Sequence, residues 1–326
     1  MANDFVSNEL ARDVQENSQL LETLESFLHL PNWGKSDGLQ LSAGPMKTSR
    51  NECDLGFLKI AVNTCNASVY DHGVYDGSNL VLNMVVGGRE QARYRGPVDL
   101  DETIMVWRPG GEDDHQYVMP AEALDVVLEL SPAYCEVMGW SVHDKLITGH
   151  GSQHLTDLVH KSLALLRTNP QDTAPYCDAL TTSLSALFDH AGGDVDTGAH
   201  VDGAALKQTR PHDIFARAAR LLDPDETVDP PISGADDLAN KLGISRRSLF
   251  ASFRKWPGLG PGRYQSLIRL HRLRKRLQAA HVSETTVTDE AFALGIAHLG
   301  RLSAEYRKQF GEYPSETLRR EPYSCP

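Results

Sequence analysis

Two arginine–lysine pairs, Arg254-Lys255 and Arg307-Lys308, stand in the same setting near the C-terminal end of the chain. Each follows an aromatic residue, Phe253 or Tyr306. Each is followed at identical offsets by a glycine, Gly258 or Gly311, and a proline, Pro261 or Pro314. A basic pair of this kind suits a phosphate, a contact that positions a protein on a nucleic acid without reading its sequence. Base reading needs other side chains. Arginine grips guanine O6 and N7 with two parallel bonds, worth about 1–3 kcal/mol of discrimination, and small apolar groups touch thymine methyls. Arg246, Arg247, Phe250 and Ala251 lie just before the first pair. Ahead of the second come His298, Arg301, Ser303, Ala304 and Glu305.

Helices must position these residues. Leu238, Leu242, Leu249 and Phe253 fall at helical spacing on one face. Gly243 sits where a turn calls for positive φ, and Ser245 is a natural N-cap for the helix that follows. The pattern predicts a helix, a tight turn and a second helix. With Leu249 and Phe253 turned inward, Arg246, Arg247, Phe250 and Ala251 are left for a partner; for Phe250 an ordinary core position is the alternative. Ala291, Gly295, Ile296, Leu302 and Tyr306 repeat the unit with a turn one residue longer. Glycine ends each second helix and proline opens the next. Internal repetition fixes the architecture of this segment. Between the units, Arg263–Gln278 predicts one helix, with Leu270, Leu273 and Leu277 on one face and Arg269, Arg272, Lys275 and Arg276 on the others. At about 24 Å it suits two helices entering successive major-groove segments about 34 Å apart. Most of its basic residues read as a solvated face.

The stretches DLANKLGISRRSLFASFRKWPGLGP and ALGIAHLGRLSAEYRKQFGEYPSETLR resemble the AraC/XylS family of bacterial transcription regulators. The likeness runs from about Pro211 to Arg320, with Ile296 and Leu302 standing where the family usually has phenylalanine. The resemblance implies a DNA-binding domain over 211–322 with helix-turn-helix motifs near 236–255 and 288–310. It assigns base-reading positions to Arg247, Phe250, Ala251, Arg301 and Ala304; Arg246 joins them by its outward position. Arg254, Lys255, Arg307 and Lys308 are assigned to phosphates. Further expectations are an activator that works on promoter DNA with RNA polymerase, a homodimer, no cofactor and a cytoplasmic location.

Composition agrees with two domains. The chain has 326 residues, 40% hydrophobic and 23% charged, as in an ordinary globular protein. Net charge is −12, but from Asp229 onward 16 lysines and arginines face 10 aspartates and glutamates, leaving +6 there and −18 elsewhere. An acidic regulatory part joined to a basic reader has this asymmetry. No apolar run is long enough to span a membrane, and the N-terminus lacks a secretory pattern. The five cysteines form no C-x-x-C, which points to reduced thiols.

Residues 1–190 form the expected sensing and dimerisation domain, and 191–210 a Gly/Asp-rich linker. An amphipathic helix is predicted around Leu20–Leu28. Short runs such as 56–62, 80–86, 103–107 and 123–130 predict strands of a small barrel or sandwich. Helices follow over 152–167, 175–189 and 212–222. The fold class is α+β, a β-barrel-like sensor ahead of an all-α reader. The run MVWRPGGEDDHQYVMPAE resembles the ethanolamine-operon regulator subgroup, which implies a small-molecule effector of unspecified kind. Tyr94, Trp107 and Arg108 are the candidate effector contacts, drawn from a wider set with Tyr70, Tyr75, Met84, Met105 and Tyr117. His143, His150, His154 and His160 lack the partners of a metal site. No nucleophile motif, phosphate-cradling glycine loop or metalloprotease signature occurs, so no enzyme activity is expected. The alternative is an enzyme-like or purely dimerising N-terminal module beside effector-independent DNA binding.

Overall fold

Aliphatic runs cut by glycine, asparagine and aspartate build strands in the first part of the chain, and leucine at helical spacing builds helices in the last. The computed structural model describes residues 19–21, 35–75, 77–86, 93–94, 103–107, 109, 113–140, 146–148, 158, 160–162, 164, 174–192, 211–222, 232–296 and 298–320. They divide into two units, Met1–Gly38 with Lys47–Ala205, and Leu39–Met46 with Leu206–Pro326.

The strands are β1 (Gln19–Leu21), β2 (Lys35–Gln40), β3 (Thr48–Asp54), β4 (Leu58–Cys65), β5 (Val69–Tyr75), β6 (Leu80–Val86), β7 (Arg93–Tyr94), β8 (Thr103–Trp107), β9 (Asp113–Met119), β10 (Ala123–Leu130) and β11 (Leu146–Thr148). They form a seven-stranded antiparallel sheet, order β1-β3-β4-β10-β6-β8-β11, and a four-stranded sheet, order β2-β5-β9-β7. The expected barrel is therefore not closed. Closure needs the two edge strands to pair with each other; here β1 and β11 end the large sheet as three-residue strands, a length that blunts an open edge. A helix over Leu20–Leu28 is also not what Gln19–Leu21 forms. Those residues pair with Arg50, Ser49 and Thr48, because a neighbouring strand offers what a short isolated helix lacks. Leu24, Phe27 and Leu28 lie outside the described residues.

Central β10 is buried along its whole length. Leu124, Val126, Leu128 and Leu130 face one side, where Ile60, Val62, Leu82, Met84 and Val106 join them. Trp140, Leu180, Leu184 and Phe188, from after α1 (Pro132–Met138) and from α2 (Ala174–Gly192), cover that side. Ser131 caps α1, and Gly139 ends it at φ 69°. The described residues among 158–164 are helical, as expected.

In the second unit come α3 (Pro211–Leu222), α4 (Ala235–Leu242), α5 (Arg246–Lys255), α6 (Pro261–Ala279), α7 (Val287–Ala293), α8 (Leu299–Phe310) and α9 (Pro314–Arg319). Two small cores share α6. In one, Phe215, Phe253 and Tyr264 meet edge to face at centroid distances of 5.1–5.4 Å. The other joins Leu270, Leu273 and Leu277 of α6 to Ala291, Leu302, Tyr306, Phe310 and Leu318.

Candidate nucleic-acid interface

The turn before α5 has the predicted geometry. Gly243 takes φ 67°, and its N–H closes α4 onto Asn240. The Ser245 hydroxyl accepts from the Ser248 N–H at 3.1 Å. Leu249 and Phe253 point inward at no measurable exposure, which turns Arg246, Arg247, Ala251, Arg254 and Lys255 outward. Phe250 is half-buried. The Arg246 guanidinium lies 5.3 Å from the Phe250 ring centre and 2.9 Å from Asp236 of α4. Two of the expected base readers thus touch each other. The Arg246–Asp236 pair is exposed, and such pairs contribute little to stability.

The second unit repeats this with a longer connection, 294–298, in which Gly295 takes φ 69°. Leu302 and Tyr306 are buried, with Arg301, Ser303, Ala304, Glu305, Arg307 and Lys308 outward. His298 occupies the N-cap without a side-chain bond. The repeated ending is structural as well: Gly258 and Gly311 have φ 73° and 79°, and Pro261 and Pro314 open α6 and α9. Arg307 stacks 4.7 Å from the Tyr313 ring and donates to its hydroxyl, so one of the four expected phosphate ligands already has a neighbour. Leu302 is buried in the cluster that holds Tyr306 and Phe310.

The basic residues of α6 are only partly a solvated face. Arg274 is buried, 3.2 Å from Glu312 and over the Phe310 ring, and Arg276 pairs with Glu290 at 2.9 Å. No periodicity signals these pairs, because acid and base come from different elements.

A helix-turn-helix domain model matches residues 238–320, spanning both units. XylDLEGF operon transcriptional activator 1 of Pseudomonas putida is 40% identical over 146 residues, 43% of each chain. XylDLEGF operon transcriptional activator 2 of the same organism is 33% identical over 111 residues, 34% of this chain and 69% of that one. A solved structure described as a probable AraC family transcriptional regulator from Rhodopseudomonas palustris CGA009 is 30% identical, covering 34% of this chain and 94% of that one at a TM-score of 0.27. The chain belongs to the AraC/XylS family. Within that family, it spans less than half the length of the first curated relatives it matches, 26% of one and 43% of another. The domain model's match, residues 238–320, lies wholly in the helical unit.

On the other face of the large sheet, away from the aliphatic core, this AraC/XylS protein carries polar groups that sequence reading passed over. Asp125 accepts from the Asn63 amide at 2.9 Å and from the Asn83 amide. Arg50 donates to Asn63 at 3.1 Å. Burial pushes the Asp125 carboxyl up from the usual carboxylate range, against the two amides, which lower it. Desolvation, then Asp125 and Asp71, hold the Tyr117 hydroxyl well above its ordinary value. The Cys65 thiol is pushed up to about 12 by burial, which keeps it inert. Trp107 and Met105 share this face, opposite Val81 and Asn83, whereas Met84 belongs to the aliphatic core. Of the other two expected effector contacts, Tyr94 lies in β7 with its side chain outside the described residues, and Arg108 is outside them. Among the described residues no acid, histidine or cysteine cluster fits a metal, and no helix is long and apolar enough to cross a membrane.

Proposed function

We propose that the protein is a sequence-specific DNA-binding transcription regulator. In this reading α5 and α8 enter successive major-groove segments. Arg247 and Arg301 read guanines, Arg246, Phe250, Ala251 and Ala304 complete the base contacts, and Arg254, Lys255, Arg307 and Lys308 hold phosphates. The observation that carries it is the repeat itself. Two glycine-turned helix pairs on one shared α6 each present arginines outward from a closed core. Family membership supports the same reading.

The finer parts follow from the family likeness. The regulator activates transcription with RNA polymerase, works as a homodimer in the cytoplasm, and has promoter occupancy biased by a small molecule on residues 1–190, with 191–210 as linker. Effector contacts that differ between two states would shift the population able to bind DNA. Trp107, Tyr94 and Arg108 are its proposed contacts, and the Asn63–Asp125–Asn83 cluster supplies polar groups on the Trp107 face. The named relatives support the family and not the ethanolamine-operon subgroup, so the effector is proposed by class alone.

Selection of duplexes from random DNA by the full chain, at two salt concentrations, tests the reading. A two-part motif is expected, with affinity falling steeply in salt. Arg301→Ala should relax one base position in one half, by about 1–3 kcal/mol of discrimination. Recovery of unenriched DNA at both salts would refute it.

A further inference from the structure

The second basic helix ends against a piece of chain that the repeat does not contain. Residues 39–46 belong to the helical unit, and they meet the C-terminal end of α8 through Gln309, whose side chain is fully buried. Its Nε2 donates to the carbonyl oxygens of Gln40 and Ser42 at 3.0 and 2.9 Å. The Gln309 carbonyl accepts from the Gly44 N–H at 3.1 Å and from Gln40 Nε2 at 3.3 Å. Gln40, itself 1% exposed, also donates to Ser42 and Gly44 carbonyls. His271 of α6 meets the Gln40 carbonyl at 3.3 Å, and Pro45 lies against Gly311 closely enough that a Cβ there would stand 3.0 Å from it. Leu39 and Leu41 flank the seam as buried apolar residues.

Position matters as much as number. Gln309 lies three residues after Tyr306, as Trp256 lies three after Phe253. Trp256 packs against Phe215 and His212 of α3. So α3 buttresses the first basic helix, and residues 39–46 occupy the matching place on the second. They lie on the side of Leu302, Tyr306 and Gln309, away from exposed Arg301, Ala304 and Lys308, and leave the outward face clear.

We propose that residues 39–46 are a positioning strap for the second DNA-reading helix. Gln40 and Gln309 lock the strap to the end of α8 and so set how Arg301 is presented to DNA. The strap, residues 39–46 of the helical unit, stands behind α8 where α3 stands behind α5. This rests on the reading of α5 and α8 as DNA-contacting helices.

The test uses the full chain and the operator selected by the wild type. Gln309→Glu keeps the oxygen that accepts from Arg263 at 2.9 Å and removes the two donors to the strap. Hydroxyl-radical footprinting should show affinity for one half of the operator falling about tenfold or more, at the half that Arg301→Ala also loses, with the other half kept. Hydrogen exchange at the Gly44 amide should accelerate. Gln40→Glu, which changes no helix, should give the same one-sided loss and carries the test if Gln309→Glu fails to fold. Rapid exchange at Gly44 with both halves still protected would overturn the proposal, as would equal weakening of both halves by Gln40→Glu. A wild-type chain that leaves no footprint would remove the DNA reading and the strap together.

Discussion

The two basic helices carry one sequence signature and are buttressed by opposite chemistries. Behind α5 the seam is aromatic, Trp256 and Phe253 against Phe215 and Tyr264. Behind α8 it is polar, built from amide and carbonyl groups of Gln309, Gln40, Ser42 and Gly44. An apolar seam tolerates small displacements because it is held by area. A buried amide seam is all or nothing, since each unmade bond leaves a desolvated group behind. The same outward face can thus be made permanent in one copy and conditional in the other.

Emptying the two cores is the harshest way to break this comparison. Phe253→Ala should cost about 3–5 kcal/mol of stability in urea unfolding. Tyr306→Ala should cost as much, with the Thr317 hydroxyl, 2.9 Å away, also losing one of its partners. Equal costs would show that the two basic helices differ in their buttresses and not in their cores.

Acid should act on the strapped copy. Burial, outweighing the Gln40 carbonyl, lowers the His271 pKa from 6.5 to about 3. Above about 6.5 the ring is neutral folded and unfolded, and its full contribution to stability is present. As pH falls from there toward 3, the unfolded chain takes up a proton that the folded one refuses, so stability is lost through that window. Urea unfolding at stepped pH should show the loss, and His271→Gln should flatten it. A slope unchanged in the variant would assign the acid sensitivity elsewhere. Asp125 in the other unit has the opposite sign, because its raised pKa favours the protonated folded state.

Glycine substitutions separate the copies more gently. Gly243→Ala meets open space and should cost only the left-handed backbone, about 1–2 kcal/mol. Gly311→Ala bears that cost and also presses on Pro45 of the strap, so it should cost more. Similar melting shifts for the two would count against a firmly seated strap. Smallest are the caps: Ser245→Ala should cost about 1 kcal/mol, and His298→Ala, which removes no cap bond, less than about 0.5 kcal/mol.

What was legible in sequence was whatever is local. Gly243, Ser245, Pro261 and Pro314 announce their turns and caps because those conformations depend on a few neighbouring residues. Leu249, Phe253, Leu302 and Tyr306 announce the inward face because helical spacing is enough to place them. The buried pairs Arg274–Glu312 and Gln40–Gln309 were silent, since neither partner's surroundings mention the other. Asn83 and Asp125 lie within the expected runs 80–86 and 123–130, and Asn63 one residue beyond the run 56–62, yet strand order alone decides that β4, β10 and β6 lie side by side. Barrel closure failed for the same reason, as it is a property of edges and not of any one strand.

The strap also imposes an order on the protein's birth. Gln40 and Gln309 are separated by 269 positions, and at about 5–20 residues per second the first waits on the order of ten to fifty seconds for the second to be made. Loop-closure entropy grows only logarithmically, about 0.6 kcal/mol per doubling of length, so this distant partner is scarcely harder to hold than a nearby one. The delay, in contrast, is large. A ribosome that stalls just before Gln309 has already made α5 and its aromatic buttress, whereas the strap still lacks its partner on α8.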